Sequence, residues 1–161
     1  MTGDKLTRLF AHPKMVKHLH LSLQSGSDAV LERMNRPYNS AMYIDAVRRL
    51  KDIDPLFNFT TDIIVGFPGE TEAEFEETVN LAENVPFSHV HTFRYSPRPG
   101  TAAADMPGAI HESVKTLRSE RIIKLYTQQK IEYYKKFSGR KCTMLTEKVR
   151  DGMTTGYNEY Y

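Results

Sequence analysis

Hydrophobic and polar positions follow two different periods along the chain, and these periods predict strands and helices in turn. Residues 18–24 (HLHLSLQ) place a leucine at every second position, as expected of a strand with one buried face. Residues 57–67 (FNFTTDIIVGF) and 88–95 (SHVHTFRY) are rich in aromatic and β-branched residues and run into glycine or proline, so each also predicts a strand. Three strands are therefore expected before residue 96.

Helices are predicted in the segments between these strands. Ser25 with Asp28, and Thr71 with Glu74, have the spacing of a capping box at the start of a helix. Ser40 offers an N-cap for a further helix between them. Alternating strands and helices of this length predict an α/β fold with a parallel sheet and right-handed crossovers.

Three loops at the carboxyl ends of the predicted strands share an unusual composition. Residues 24–27 (QSGS), 66–70 (GFPGE) and 96–101 (SPRPGT) combine glycine with hydroxyl, amide or charged side chains. In parallel α/β folds, ligands bind where the carboxyl ends of the strands meet along one edge of the sheet. That edge is the candidate binding site.

The last part of the chain has a different pattern. Residues 111–137 predict one long helix. After Gly139, two β-rich segments flank the turn sequence Asp151-Gly152, which predicts a pair of strands. The second strand is expected to run to Tyr161.

Charge is balanced in total but unevenly distributed. The chain has 22 Lys and Arg against 20 Asp and Glu. Residues 52–84 contain nine acidic residues and no Lys or Arg, whereas residues 115–150 contain eleven Lys and Arg against three Glu. A basic C-terminal third favours a polyanion-binding end, and the alternative is an ordinary solvated helix face.

Composition excludes several classes of protein. The apolar fraction of 40% and the charged fraction of 26% are those of an ordinary folded domain. No apolar run approaches the roughly 18 residues of a membrane span, so no membrane partner is expected and the cytoplasm is the expected compartment. The single cysteine, Cys142, excludes an internal disulfide, a zinc site built on several cysteines and an iron–sulfur cluster held by this chain alone.

Three sequence blocks together resemble a known enzyme family. Residues 18–38 (HLHLSLQSGSDAVLERMNRPY), 60–78 (TTDIIVGFPGETEAEFEET) and 93–106 (FRYSPRPGTAAADM) resemble the radical S-adenosylmethionine (radical SAM) methylthiotransferases that act on tRNA. The blocks occur in the family's order and spacing, and the similarity covers roughly residues 18–161.

The resemblance implies an α/β fold with two parts. Residues 1–138 would form the C-terminal half of a partial (β/α) radical SAM barrel, with its fourth, fifth and sixth strands at 18–24, 58–65 and 89–95. Residues 139–161 would form the start of a small antiparallel β module, the RNA-binding TRAM domain. The implied cofactors are S-adenosylmethionine and [4Fe-4S] clusters, the implied partner is tRNA, and the sulfur donor is left open.

The strand HLHLSLQSG is most similar to the branch of the family that methylthiolates threonylcarbamoyladenosine in tRNA. Branches that act on isopentenyladenosine, or on an aspartate of a ribosomal protein, remain alternatives. A non-catalytic remnant that binds RNA through the basic helix and the β-rich tail is a further alternative from a different class.

The chain departs from the family at the cluster ligands. Family members hold one [4Fe-4S] cluster with Cys-x-x-x-Cys-x-x-Cys and a second cluster in an N-terminal domain, but this chain has only Cys142. We therefore expect a C-terminal piece of a longer enzyme, with the cluster ligands elsewhere. Such a piece should be catalytically inactive by itself, so no catalytic residue is assigned to it.

The resemblance places the S-adenosylmethionine pocket among the loops after the three strands. Gln24 and the neighbouring serines offer hydrogen bonds to the ribose or amino-acid groups, although Ser25 would alternatively cap a helix. Arg94 or Arg98 would hold the cofactor carboxylate, contact a tRNA phosphate, or pair with Asp62 in a structural salt bridge. The candidate cofactor-binding residues are Ser22, Gln24, Ser25, Asp62, Gly66, Arg94 and Arg98.

Two further groups of residues suggest specific chemistry. Arg140, Lys141 and Tyr157 are candidates for RNA binding, because basic side chains meet phosphates and a tyrosine can stack on a base; strand packing is the alternative for the tyrosine. The His-x-His pairs at 18/20 and 89/91 each share a strand face, but no carboxylate accompanies them in the sequence, so histidines on a polar strand face are expected rather than a metal site.

Overall fold

The computed structural model describes residues 3–161, and it contains two separate sheets. The larger sheet is parallel with strand order β1-β2-β3, and the smaller one is an antiparallel pair, β4-β5. The strands are β1 (His18–His20), β2 (Asn58–Val65), β3 (Phe87–Arg94), β4 (Met144–Arg150) and β5 (Met153–Asn158). The helices are α1 (Gly3–Ala11), α2 (Asp28–Arg33), α3 (Ser40–Ile53), α4 (Glu72–Asn84) and α5 (Glu112–Lys135), with a 3-10 turn at Ala102–Asp105. The predicted α/β class is confirmed.

Buried and partly exposed residues alternate along β2, so the parallel sheet has two different faces. Phe59, Thr61, Ile63 and Val65 are buried, while the residues between them are partly exposed. The buried face lies against the helices, where Phe57, Phe75, Phe87 and Ile122 complete the core. We call the opposite side the open face; it carries His18, His20, Ser22, Thr60, Asp62, Ile64, His89, His91 and Phe93.

The uneven charge of the sequence is partly neutralised inside the fold. Arg118 of α5 contacts Glu70 at 2.7 Å and Glu72 at 2.9 Å, and Arg121 pairs with Glu76 of α4. The acidic and basic segments therefore face each other. This part of the basic stretch serves intramolecular packing and is not free to bind a polyanion.

The C-terminal tail returns to the start of the parallel sheet. The amide of Lys17 donates to the carbonyl of Glu159 at 2.7 Å, and the side-chain amide of Asn58 donates to the carbonyl of Tyr160 at 2.8 Å. The hydroxyl of Tyr160 also donates to Asp54 at 3.1 Å. The small β4-β5 sheet is thus attached at the amino ends of β1 and β2.

The predicted capping box at the start of α4 is confirmed. The amide of Glu74 donates to the hydroxyl of Thr71 at 3.2 Å, and the amide of Thr71 donates to the carboxylate of Glu74 at 2.7 Å. The long helix predicted at 111–137 and the pair of strands around Asp151-Gly152 are also present. These elements are specified by local patterns, which explains why sequence alone identifies them.

Three local predictions were wrong. Ser25 does not cap α2, because Ser27 occupies the N-cap position and the hydroxyl of Ser25 is used elsewhere. Asn39, not Ser40, caps α3: its side chain accepts from the amide of Met42 at 2.9 Å. An amide side chain reaches the free backbone donors of a helix start as well as a hydroxyl does.

The third error concerns the end of the chain. The last strand does not run to Tyr161 but ends at Asn158. The side chain of Asn158 accepts from the amide of Tyr160 at 2.8 Å, and its carbonyl accepts from the amide of Tyr161 at 3.0 Å. These two bonds form a turn that directs the final residues back towards β1.

Candidate cofactor cleft and open sheet face

A cleft of about 450 Å³ lies at the carboxyl ends of the parallel strands, where the sequence predicts a binding site. It brings together four of the seven candidate cofactor-binding residues. It is lined by Gln24, Asp62, Ile64, Phe93, Arg94, Tyr95, Ser96, Arg98, Thr101 and Ala103. The lining thus combines two cations, one carboxylate and one amide with an apolar and aromatic wall.

Gln24 enters this cleft from an unusual backbone conformation. Its φ is +66°, in the left-handed region that side chains other than asparagine, aspartate and glycine seldom adopt. In this conformation its amide donates to the carbonyl of Asp62 and its carbonyl accepts from the amide of Ile64, each at 2.8 Å. Gln24 therefore restores the pairing with β2 after β1 has ended, and its position beside the cleft is fixed by the sheet.

Asp62 lies on the open face and forms no salt bridge with Arg94 or Arg98, so the structural salt bridge that was one alternative for these residues is not formed. The hydroxyl of Ser22 donates to its Oδ2 at 2.8 Å, and His20 Nε2 lies 3.1 Å from the same oxygen. Burial alone would raise the pKa of Asp62, but the bonds from Ser22 and His20 outweigh it and hold the pKa below its usual value. The salt bridge does not form because the side chain of Arg94 points towards α5.

The two arginines of the cleft have different surroundings. Arg94 Nη1 donates to Thr116 at 3.0 Å and lies 3.5 Å from Glu112, both on α5. The guanidinium of Arg98 has no hydrogen bond or ion pair among residues 3–161. Arg98 is therefore the cation of the cleft that is available to an anionic ligand.

Ser25 and Gly66 do not line the cleft. Ser25 is fully buried, and its hydroxyl lies 3.1 Å from that of Thr78 on α4. Gly66 has a φ of +74°, and its amide donates to Glu70 at 2.6 Å. A side chain at position 66 would overlap Lys115 of α5. The absence of a side chain at Gly66 therefore allows α5, and not a ligand, to approach the backbone closely.

The candidate RNA-binding residues lie in two different places. Tyr157 borders a larger cavity of about 690 Å³ beside the open face, together with His18, His89, Lys130 and Tyr161. Arg140 and Lys141 instead line a separate hollow beside Cys142 and Glu159. The structure therefore does not unite these three residues in one site.

An aromatic stack forms one wall of the larger cavity. The ring of Tyr161 lies between those of His18 and Tyr157, with centroid distances of 4.5 and 4.4 Å and interplanar angles of 11° and 9°. The stack joins the end of the chain to β1. Sequence reasoning treated the tyrosines and the histidine as separate features, because nothing local indicates that they meet.

Sequence reasoning missed the buried ion pair behind the cleft. The side chains of Glu70 and Arg118 are only 1% and 7% exposed, and their closest atoms are 2.7 Å apart. Burial raises the pKa of Glu70 above its usual value. The amide of Gly66 and the guanidinium of Arg118 both lower this pKa, but the effect of burial is larger. The only available signal was an acid in the loop 66–70, since its partner is distant in sequence.

The chain matches the model of the radical SAM superfamily over residues 1–82, which is more than half of its length. With the parallel sheet and the cleft at its carboxyl edge, this match defines the class of protein: the chain belongs to the radical SAM superfamily.

Its relatives are more specific and confirm the resemblance to methylthiotransferases. The chain is 46% identical over 161 residues to threonylcarbamoyladenosine tRNA methylthiotransferase MtaB of Thermotoga maritima, covering 99% of this chain and 37% of that enzyme. It is 43% identical over 132 residues to tRNA-2-methylthio-N(6)-dimethylallyladenosine synthase of Ehrlichia canis, covering 82% of this chain and 30% of that enzyme. The chain thus spans about a third of the length of these relatives.

The residues present fit one implied cofactor and not the other. S-adenosylmethionine combines an anionic carboxylate, polar ammonium and ribose groups and a flat adenine. The cleft offers the available guanidinium of Arg98, the carboxylate of Asp62 and the apolar side chains of Ile64 and Phe93. An iron–sulfur cluster needs several thiolates, and the one cysteine, Cys142, is exposed at a different hollow.

Among residues 3–161, no helix is both long and apolar enough to cross a membrane.

Proposed function

We propose that this chain carries the S-adenosylmethionine-binding edge and the tRNA-facing end of a tRNA methylthiotransferase that modifies threonylcarbamoyladenosine. The identity of 46% over the whole chain to an enzyme with that name is the observation that carries the proposal. The iron–sulfur clusters are then held by protein outside these 161 residues, and the enzyme works on tRNA in the cytoplasm. The chain alone is expected to be inactive.

The cleft supports the cofactor part of this proposal. Arg98 binds the cofactor carboxylate, because its guanidinium has no other partner in the described part of the chain and its planar donors match two carboxylate oxygens. The side-chain amide of Gln24 bonds a ribose or amino-acid group, and Ser22 acts by holding Asp62. S-adenosylmethionine supplies, when bound, the methyl group that the reaction transfers.

The tail supports the tRNA part. We assign residues 1–138 to the barrel half and residues 139–161 to the start of the RNA-binding module. Arg140 and Lys141 bind phosphates, and the exposed face of Tyr157 stacks on a base. Because the basic and aromatic residues lie apart, they would contact different nucleotides.

A chimeric enzyme tests the proposal. The segment of the Thermotoga maritima relative that aligns with this chain is replaced by the 161 residues, and the hybrid is expressed in a strain that lacks its own methylthiotransferases for threonylcarbamoyladenosine and for dimethylallyladenosine. Mass spectrometry of tRNA nucleosides should then detect the 2-methylthio derivative of threonylcarbamoyladenosine. A folded hybrid that binds S-adenosylmethionine but makes no methylthio nucleoside would refute the proposed reaction.

Two variants of the hybrid test the cofactor assignment. Arg98→Ala should weaken S-adenosylmethionine binding about tenfold or more, as expected for the loss of a charge-assisted bond. Arg36→Ala, an exposed arginine that does not line the cleft, should bind as the parent does. Equal affinities of the two variants would show that Arg98 does not bind S-adenosylmethionine.

A second substrate is favoured by a specific observation. Several relatives, including those of Ehrlichia canis and Bifidobacterium adolescentis at 43% identity, are named as 2-methylthio-N(6)-dimethylallyladenosine synthases. The nucleoside analysis of the hybrid separates the two substrates, because the methylthio derivatives of threonylcarbamoyladenosine and dimethylallyladenosine differ in mass. Modification of dimethylallyladenosine alone would replace the first candidate.

A further inference from the structure

Three metal-ligating side chains converge at the centre of the open face, one from each strand of the parallel sheet. His20 on β1, Asp62 on β2 and His91 on β3 each present a ligand atom, and these three atoms lie within 4.8 Å of one another. The register explains the convergence, since Asp62 pairs directly with His91. The sequence showed two histidine pairs without a carboxylate; the sheet places the carboxylate between them.

We propose that His20, Asp62 and His91 form a binding site for a divalent transition-metal ion. Two imidazoles and one carboxylate suit zinc and its first-row neighbours, whereas magnesium and calcium prefer oxygen ligands alone. Three protein ligands also leave coordination positions for water or another ligand. The site lies on the open face below the cofactor cleft and shares Asp62 with it.

The surroundings of His20 orient it for this role. Its Nδ1 lies 3.0 Å from the hydroxyl of Thr60, while its Nε2 lies 3.1 Å from Asp62 Oδ2. In metal sites, a hydrogen bond at one ring nitrogen fixes the imidazole so that the other nitrogen binds the ion. The distance of 3.1 Å is also close to the separation of two neighbouring ligands around a metal with bonds of about 2.0–2.1 Å.

The other two ligands are similarly placed. Ser22 donates to Asp62 Oδ2 and holds this carboxylate on the open face. Neither ring nitrogen of His91 has a hydrogen-bond partner in the described part of the chain, and its ring packs edge-on against His89 at 4.4 Å. His91 is therefore held by packing while both of its nitrogens stay available.

The site is tested with the whole chain and with cobalt(II) and zinc(II) salts alone as probes. Cys142→Ser serves as the parent, so that the exposed thiol cannot bind either ion. Isothermal titration should show one zinc ion per chain, and bound cobalt should show visible ligand-field bands that added zinc removes. Absence of saturable binding at one equivalent would overturn the proposal.

Variants then assign the ligands. His91→Ala is the main one, because His91 is exposed and its side chain makes no hydrogen bond to the described residues, so its replacement should leave the fold intact, as circular dichroism will verify. We expect its zinc affinity to fall at least tenfold, and Asp62→Ala to behave in the same way. His12→Ala, at an exposed histidine outside the open face, should retain the parent affinity. Unchanged affinity in His91→Ala, or an equal loss in His12→Ala, would show that the ion binds elsewhere.

Discussion

Gly66 and Lys115 are in such close contact that no side chain fits between them. A Cβ atom built on Gly66 would overlap Cγ of Lys115 and lie 2.8 Å from its Cδ. Lys115 cannot easily move, because its Nζ donates to the carbonyl of Tyr95 at 2.9 Å and pairs with Glu112 at 2.6 Å. The contact therefore fixes the start of α5 against the loop that follows β2.

Replacing Gly66 by alanine should destabilise the protein more than the same change at Gly69. Both glycines have positive φ, +74° and +73°, so both variants lose about 1–2 kcal/mol to backbone strain. Only Gly66→Ala also meets Lys115, since nothing lies within 4 Å of a Cβ at Gly69. We expect at least about 1 kcal/mol of further loss in the unfolding free energy of Gly66→Ala. Equal losses measured by urea unfolding would show that Lys115 yields without cost.

Arg118→Ala should be strongly destabilising, whereas Arg121→Ala should have a much smaller effect. Both guanidiniums lie over the ring of Phe75, at 5.2 and 5.6 Å, and both pair with glutamates at or before α4. They differ in burial: removal of Arg118 breaks the buried ion pair and leaves Glu70 without its charged partner in the interior, at a cost of about 3–5 kcal/mol. Thermal unfolding of the two variants measures the difference. Similar midpoints would contradict the role assigned to burial.

Stability should fall in acid as Glu74 becomes protonated. The hydrogen bonds from Arg33 lower the pKa of Glu74 to about 2, with a smaller contribution from the amide and hydroxyl of Thr71. Because this pKa lies below the unfolded value near 4.5, the stabilisation is complete above pH ~4.5 and is lost as the pH falls towards ~2.

The pH dependence of the unfolding free energy checks this expectation. Glu74→Gln should be less stable than the parent at neutral pH, and the gap should close below pH ~4.5. Glu77→Gln, on an exposed side of the same helix, is the control and should follow the parent throughout. A gap between Glu74→Gln and the parent that stays constant into acid would disprove the link to Glu74.

Lys51 should react with acylating reagents at a lower pH than other lysines. Burial, reinforced by the charge of Lys136, lowers the pKa of Lys51 to about 8. Its ammonium lies 5.8 Å from the centre of the Phe59 ring and donates to the carbonyl of Pro55 at 2.9 Å. Competitive labelling followed by mass spectrometry should give half-maximal reactivity of Lys51 near pH 8, with exposed Lys124 as the reference. A shared midpoint for both lysines would be evidence against the shift.

Local patterns predicted most of the elements and the edge where the cleft lies. The strand over Asn58–Val65 and the capping box of Thr71 and Glu74 depend on neighbours within a few residues, so the sequence contains all the information they need. The resemblance to the family placed Gln24, Asp62, Arg94 and Arg98 together in one pocket, and the rule that ligands bind at the carboxyl ends of parallel strands pointed separately to the same edge.

Partners that are distant in sequence could not be predicted in the same way. A salt bridge between Asp62 and an arginine was one alternative, but Arg94 points towards α5, and His20 and Ser22 contact the carboxylate instead. Helix α1 was not predicted, although Phe10 enters the core and packs edge-on against Phe57 at 5.1 Å. The pairing of Asp62 depends on side-chain direction, which periodicity alone does not specify, whereas the helical spacing of Leu6, Leu9 and Phe10 is a local signal for α1.

Because the backbone amide of Lys17 is hydrogen-bonded to the tail, this amide can report whether the tail is attached. Its hydrogen is held by the carbonyl of Glu159, so its exchange with deuterium requires the last residues to leave the sheet. Slow exchange at Lys17 would mean that the tail opens only when the parallel sheet unfolds, whereas fast exchange would reveal a separate, low-energy detachment. One amide near the beginning of the chain thus measures how firmly the other end is held.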